Sequence, residues 1–187
     1  MRKKAIVIIG VCLVLAIIVL VLLIQNSTDE PLYDKNQKIN ARDIPWEVKM
    51  GVTEYGDRAL MINFTNNSDY TIKEISLELT MLNNIKSEEL ESFYSYIANE
   101  YELSDDDLSE LKSRGLTMST WIYLLEDEYL KPGESVEEAI CYGYKYIKTM
   151  DYYHLFQPDM LEIVYLDELG EEHTVFYDYI NRTYSNK

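Results

Sequence analysis

From Ala5 to Ile24 the chain runs for twenty residues without a charge, nearly all of them Ile, Val, Leu or Ala. At ~1.5 Å of rise per residue a helix of this length reaches ~30 Å, the thickness of a bilayer's hydrocarbon core. Gly10 is its one helix-weakening residue, and a single Gly is tolerated in a spanning helix. Arg2, Lys3 and Lys4 precede the run, whereas the twenty residues that follow it nearly balance acid with base, four against three. The positive-inside rule then keeps residues 1–4 in the cytoplasm and carries residues 25–187 across the membrane. A cleavable leader has a shorter apolar core that ends in small residues one and three positions before the cut. Here only Ser27 is small, and Gln25 stands two positions before it. Cys12 is a poor acylation site, because Val11 precedes it and twelve more apolar residues follow. The expectation is an uncleaved single-pass anchor in the cell membrane.

With the three basic residues of the tail set aside, the outer part holds 14 Lys+Arg against 33 Asp+Glu, a formal charge of −19. Such a domain repels nucleic acid, anionic lipid headgroups and polyanionic wall polymers. Its one cysteine is Cys141, because Cys12 falls in the apolar run, so no internal disulfide can form. Exported eukaryotic domains of this size usually carry disulfides. Their absence from a chain rich in Ile, Asn, Lys and Tyr points to a bacterial envelope. Asn26, Asn63, Asn66 and Asn181 begin N-x-Ser/Thr triplets, which Asn-rich chains produce by chance.

Residues 25–43 are polar, contain Pro31 and lack a sustained period, as a juxtamembrane spacer would. A folded domain is expected over residues 44–184. Trp46, Val48, Met50 and Val52 alternate with Glu47, Lys49 and Gly51; Leu60, Ile62 and Phe64 alternate with Met61 and Asn63. Four turn-formers, Asn66 to Asp69, separate these from a third period at Ile75, Leu77, Leu79 and Met81. A short turn between two such runs predicts a hairpin. From Ser87 the spacing becomes helical, with Leu90, Phe93, Tyr94, Ile97 and Tyr101 on one face. Ser104 and Asp107 have the spacing of a capping box, the acids at 105–107 suit a helix N-terminus, and Gly115 suits a helix stop. Residues 116–130 carry both patterns. Trp121, Leu124, Leu125 and Glu128 favour the helix, while Thr117, Thr120, Ile122 and Tyr123 favour a strand; the segment is assigned to helix, giving a helical insertion over about 87–130. After the turn Lys131-Pro132-Gly133-Glu134, strands resume at Ile140 to Tyr146, Leu161 to Tyr165 and His173 to Tyr177. A loop with Asp151, His154 and Pro158 precedes the second of these, and Asp167 to Gly170 turn before the third. About six strands with regular turn signals predict a mainly β domain, an antiparallel β-sandwich.

Phe64-Thr65-Asn66-Asn67-Ser68-Asp69-Tyr70-Thr71-Ile72 resembles the strand–turn–strand opening of small extracytoplasmic immunoglobulin-like domains of Gram-positive bacteria. Leu130-Lys131-Pro132-Gly133-Glu134-Ser135 resembles the L-x-P-G-E-S turn those domains carry. Leu79-Thr80-Met81-Leu82-Asn83 is similar to the strand signature of the FxLYD group, with Leu, Leu and Asn in place of its Phe, Tyr and Asp. The resemblance implies an immunoglobulin-like sandwich on a membrane or lipid anchor, usually an accessory or binding module, and it implies no catalytic residue.

Residue chemistry agrees with that expectation. His154 and His173 are not in ligand spacing for zinc, no G-x-S-x-G elbow is present, and Cys141 lies mid-strand without a helix N-terminus to activate it. No cofactor is expected. Asp105-Asp106-Asp107 lacks the alternation and glycine of a calcium loop. Tyr142, Tyr144 and Tyr146 could form an aromatic platform, but β-propensity alone enriches Tyr in strands, and the row is assigned to the core. The acids are more informative: residues 87–138 hold 15 Asp+Glu and 3 Lys+Arg. That excess makes Asp105, Asp106, Asp107 and Glu110 a candidate surface for a basic envelope or secreted protein. The sequence therefore predicts a non-enzymatic anchored adaptor. A neutraliser of a basic toxin or hydrolase is one alternative, and a hydrolase with paired carboxylates is another.

Overall fold

The computed structural model describes residues 33–141 and 147–186, all within the unit Leu32–Lys187. The expected anchor from Ala5 to Ile24 and the row Tyr142, Tyr144 and Tyr146 lie outside the described residues. Among the described residues no helix is long and apolar enough to cross a membrane.

The domain is mainly β, with two antiparallel sheets and two helices, consistent with a β-sandwich. One sheet has the order β1-β2-β5, from β1 (Trp46–Val52), β2 (Arg58–Thr65) and β5 (Ser135–Ile140). The other has the order β4-β3-β6-β7-β8. Its members are β3 (Thr71–Met81), β4 (Thr117–Tyr123), β6 (Phe156–Leu166), β7 (Glu172–Asp178) and β8 (Thr183–Asn186). Helices α1 (Ser87–Tyr101) and α2 (Asp105–Arg114) lie between β3 and β4 in the chain.

The two-residue periods decide which faces meet. In the smaller sheet Trp46, Val48 and Met50 stand opposite Phe64, Ile62 and Leu60, and the last three are fully buried. In the larger sheet Ile75, Leu77 and Leu79 of β3 are buried, while Ser76, Glu78 and Thr80 take the other face. Leu77 is flanked by Leu161 of β6 and Thr120 of β4. Both sheets feed one core, in which each fully buried aliphatic side chain contributes about 1.5–3 kcal/mol.

The expected hairpin between β2 and β3 is not formed: the two strands belong to different sheets, and the turn between them is a corner. A turn sequence sets only a change of direction, and here Asn66 aims it. Its side chain is fully buried. The amide nitrogen donates to the carbonyls of Tyr70 (2.8 Å) and Leu130 (2.9 Å), and the amide oxygen accepts from Ser68 N (3.0 Å) and Ser68 Oγ (2.7 Å). Its backbone binds the second turn, donating to the Glu134 carbonyl and accepting from Gly133 N. Gly133 has φ +82°, which a side chain would disfavour. The two turns therefore hold each other, and the chain moves from one sheet to the next.

Helix α1 forms as its period predicts, burying Phe93, Tyr94 and Ile97. Phe93 packs against Tyr152 and Phe156, with ring centroids 5.3 and 5.8 Å away. Helix α2 is capped by Ser104, whose Oγ accepts from Asp107 N at 3.2 Å and donates to Asp107 Oδ2 at 2.6 Å. It stops at Gly115 (φ +71°). The helical assignment of 116–130 is corrected from there: residues 117–123 form strand β4. Met118, Thr120 and Ile122 alternate inward against Leu79, Leu77 and Ile75 of β3. Pairing with β3 outweighs the helical spacing of Trp121, Leu124 and Leu125, because only the two-residue period puts Met118 and Thr120 inside together. Pro158, expected in a loop, lies in β6 at a bulge opposite Leu79. The β7 ladder begins only at Met160, so the N–H that proline lacks is not needed there.

The folded core also begins earlier than the period implies. Ile39, Asn40, Ala41 and Ile44 are buried, Ala41 N donates to Tyr184 Oη of β8 at 2.9 Å, and Trp46 Nε1 donates to Tyr179 Oη at 2.9 Å. Burial pushes the phenols of Tyr179 and Tyr184 up to about 12.

Candidate functional site

Asp105, Asp106 and Asp107 occupy the first turn of α2, and Glu110 the next; all four are exposed. Glu110 is ion-paired to Arg114 one turn on, and Asp107 is engaged by its cap. Consecutive helical residues point about 100° apart, so the three aspartates fan outward and do not converge on a common ion. Lys112 bridges α2 to Glu91 of α1 at 2.9 Å, His154 meets Glu89 at 2.5 Å, and Lys148 meets Glu100 at 2.8 Å.

The acidic stretch of the sequence is not one patch. Strand β4 divides it, running about 20 Å from its first residue, paired with Thr80, to its last, paired with Glu74. The acids of the two helices therefore sit at one end of the sheet, and Glu126, Asp127 and Glu128 follow β4 at the other.

Three potential metal donors, Asp167, Glu171 and His173, come within 4.8 Å of one another in the β6–β7 hairpin. Sequence spacing did not single them out, since a hairpin loop of 167–171 is what folds position 167 back onto 173. Asp167 is already saturated. Its Oδ1 accepts from Leu169 N and Glu171 N at 2.9 and 3.0 Å, and its Oδ2 meets His173 Nε2 at 2.9 Å and Lys38 Nζ at 3.5 Å. The His173 hydrogen bond first, then the backbone donors, hold its carboxyl at about 2. A neighbouring ammonium and filled lone pairs make this an ion-paired hairpin brace. Both histidines thus face carboxylates. Cys141 is buried, and desolvation pushes its thiol up to about 12, leaving it a neutral packed group at physiological pH.

The outer face of the five-stranded sheet is chemically different. Trp121 and Tyr123 of β4 are 65% and 57% exposed, and Leu125 just beyond is 60% exposed. Their neighbours across the ladder are Ser76 and Glu74, with Glu78 opposite Ser119 and Glu162 opposite Ser76. Among the described residues no ion pair to a base involves Glu74, Glu78 or Glu162. Lys73, 5.9 Å from the Tyr123 ring centre, is held by Glu172 at 2.5 Å. A shallow cleft of about 350 Å³ lies at the helical end of the same sheet, between Met81, Tyr94 and Leu116. The Trp-x-Tyr-x-Leu alternation from 121 to 125 was visible in the sequence, and it marks this face once the segment is a strand. No known protein family, curated protein or solved structure matches the chain.

Proposed function

We propose that the chain is a non-enzymatic binding module: an immunoglobulin-like domain held outside the cell by the segment from Ala5 to Ile24, in the manner of the Gram-positive domains its turns resemble. The strand order supports the immunoglobulin-like part of this reading. With β1, β2, β3, β4, β5, β6 and β7 taken as A, B, C, C′, E, F and G, the sheets are A-B-E and C′-C-F-G, the second extended by β8 beyond G. That is the immunoglobulin arrangement without strand D and with a C′ strand beside C. The two helices then occupy the C–C′ connection, and connecting segments on a rigid scaffold are common carriers of function. The observation that carries the binding function is the pair of exposed aromatic side chains on β4, Trp121 and Tyr123, continued by Leu125 and set beside carboxylates that, among the described residues, have no ion pair to a base. Isolated exposed hydrophobics are ordinary; an aromatic row on one strand face marks contact with another molecule.

Two measurements test this. Protease added to intact wall-stripped cells should digest the domain, and digestion only after permeabilisation would refute the outside location. The full-length chain, immobilised in detergent, should retain an envelope or secreted protein in a salt-sensitive way. A failure to retain any protein above an unrelated membrane-anchored control would refute the binding role.

A further inference from the structure

The strands of the described residues leave four sheet edges, and β4 differs from the other three. An edge strand exposes unpaired main-chain groups, and natural proteins guard it with charge, proline, bulges or shortness. β1 carries Glu47 and Lys49, β5 carries Glu137 and Glu138 with a bulge at Glu138 (φ +61°), and β8 is four residues long. β4 reads Thr-Met-Ser-Thr-Trp-Ile-Tyr: seven residues, without charge, proline or glycine. Among the described residues no strand lies on its far side.

The register shows which groups are free. Leu124 N donates to the Lys73 carbonyl at 3.1 Å, so the pairs Leu124–Lys73, Ile122–Ile75, Thr120–Leu77 and Met118–Leu79 exchange hydrogen bonds with β3. The alternate residues, Ser119, Trp121 and Tyr123, turn their N–H and C=O groups to the open side. These same residues put their side chains on the acidic outer face.

Resting on the binding-module reading above, we infer that β4 receives an extended basic segment of a partner protein as an added strand. Main-chain hydrogen bonds to Ser119, Trp121 and Tyr123 would hold it, as in other strand additions. Side chains at alternate positions of the guest then stand beside the same three residues. The added strand lies about 10 Å, two strand spacings, from β3, a gap that long basic side chains and a glutamate span together. Next to Tyr123 a Lys or Arg crosses the ring and meets Glu74. Next to Trp121 it stacks on the indole, and Glu162, one strand spacing further on β6, adds to the negative field. Next to Ser119 it passes freely to Glu78. Cation–π contact and ion pairing thus act on one side chain. A second copy of the chain is disfavoured as occupant, because its uncharged β4 would bring no basic side chain to Glu74 and Glu78, and the chain carries −16 overall.

The probe is an acetylated and amidated (Arg-Thr)4 peptide, with (Glu-Thr)4 as control, titrated into the full-length chain in non-ionic detergent. Binding is read by isothermal titration calorimetry for every variant, with Trp121 fluorescence in a Trp46→Phe background as a second signal where Trp121 is kept. The expected result is saturable binding of the basic peptide, weakened at higher salt, and no binding of the acidic one. Trp121→Ala should weaken binding at least about tenfold, as for a central contact aromatic. Glu74→Gln and Glu78→Gln should weaken it by about threefold each, as for exposed ion pairs, with melting temperatures near wild type. The combined Asp105→Asn/Asp106→Asn/Asp107→Asn variant should bind as wild type. The inference is overturned if the basic peptide fails to bind, if binding ignores Trp121 and the glutamates, or if the edge is instead occupied in a dimer that Trp121→Lys dissociates. Should the wild type retain a partner protein that Trp121→Ala retains equally, this surface is refuted while the binding-module reading stands. Should no partner be retained although the peptide binds at β4, the reading fails and the chemistry of the edge remains.

Discussion

Asn66→Ala removes a side chain that makes four hydrogen bonds in a site closed to water. The losses are unequal. The Leu130 carbonyl keeps its bond from Ile72 N, and the Tyr70 carbonyl keeps a long bond from Ser68 Oγ at 3.3 Å. Ser68 N keeps no acceptor, and a buried donor left unpaired costs about 1–3 kcal/mol. Each of the other lost bonds costs about 0.5–1.5 kcal/mol net, the low end for the two carbonyls that keep a donor, so roughly 2.5–5.5 kcal/mol in all is expected, a large part of the ~5–15 kcal/mol that holds a domain. Asn66→Asp preserves the shape but turns the nitrogen donor into an oxygen facing two carbonyls. It should cost more than the alanine at pH 7, where the carboxylate is charged and buried, because desolvation and two facing dipoles both oppose the charge. Protonation restores one donor, so the aspartate variant should recover relative to the alanine variant as the pH falls towards 4. The sign follows from the site: desolvation and the two facing carbonyls raise the folded pKa of a carboxyl here, and stabilisation relative to alanine grows as it protonates. Urea unfolding of both variants and wild type at pH 7 and pH 4 measures this, with far-ultraviolet circular dichroism as the probe. An Asn66→Ala cost below about 0.5 kcal/mol, or an aspartate variant equal to alanine at both pH values, would refute the corner's dependence on this side chain.

Leu77→Ala should cost about 2–5 kcal/mol as a fully buried leucine, while Glu78→Ala on the outer face should change the urea midpoint little; a reversed order would contradict the register of β3. Asp167→Asn should lower the melting temperature at pH 5–7, and its difference from wild type should shrink as the pH falls through 2. The folded carboxyl titrates at about 2 against an ordinary 3.8, so its contribution is complete above about 4 and is lost as the pH falls through 2. A difference that persists undiminished at pH 2 would show that the loop, and not the charge, carries the effect.

Local patterns decided a good deal of this protein on their own. The alternation in β1, β2 and β3 determined which side chains face inward, because a pleated strand has only two faces and one must be dry. Ser104 and Gly115 bounded α2, since a cap satisfies or ends backbone hydrogen bonds within a few residues. The apolar run from Ala5 to Ile24 dictated the expectation of an anchor by length alone. What the sequence left open depended on partners distant in the chain. Asn66 to Asp69 specified a turn, but whether β3 returned beside β2 or crossed to another sheet rested on Leu130 and Gly133, more than sixty residues away. Residues 117–123 carried two compatible periods, and β3 selected the strand by offering a ladder and a buried place for Met118 and Thr120. The acidic stretch read as one charged segment along the chain, yet that same strand separates its two halves by its own length. Hydrophobic period, caps and turn chemistry act over a few residues and can be read in order. Strand neighbours, and the surface that Trp121, Tyr123, Glu74 and Glu78 form together, exist only after the sheet has assembled.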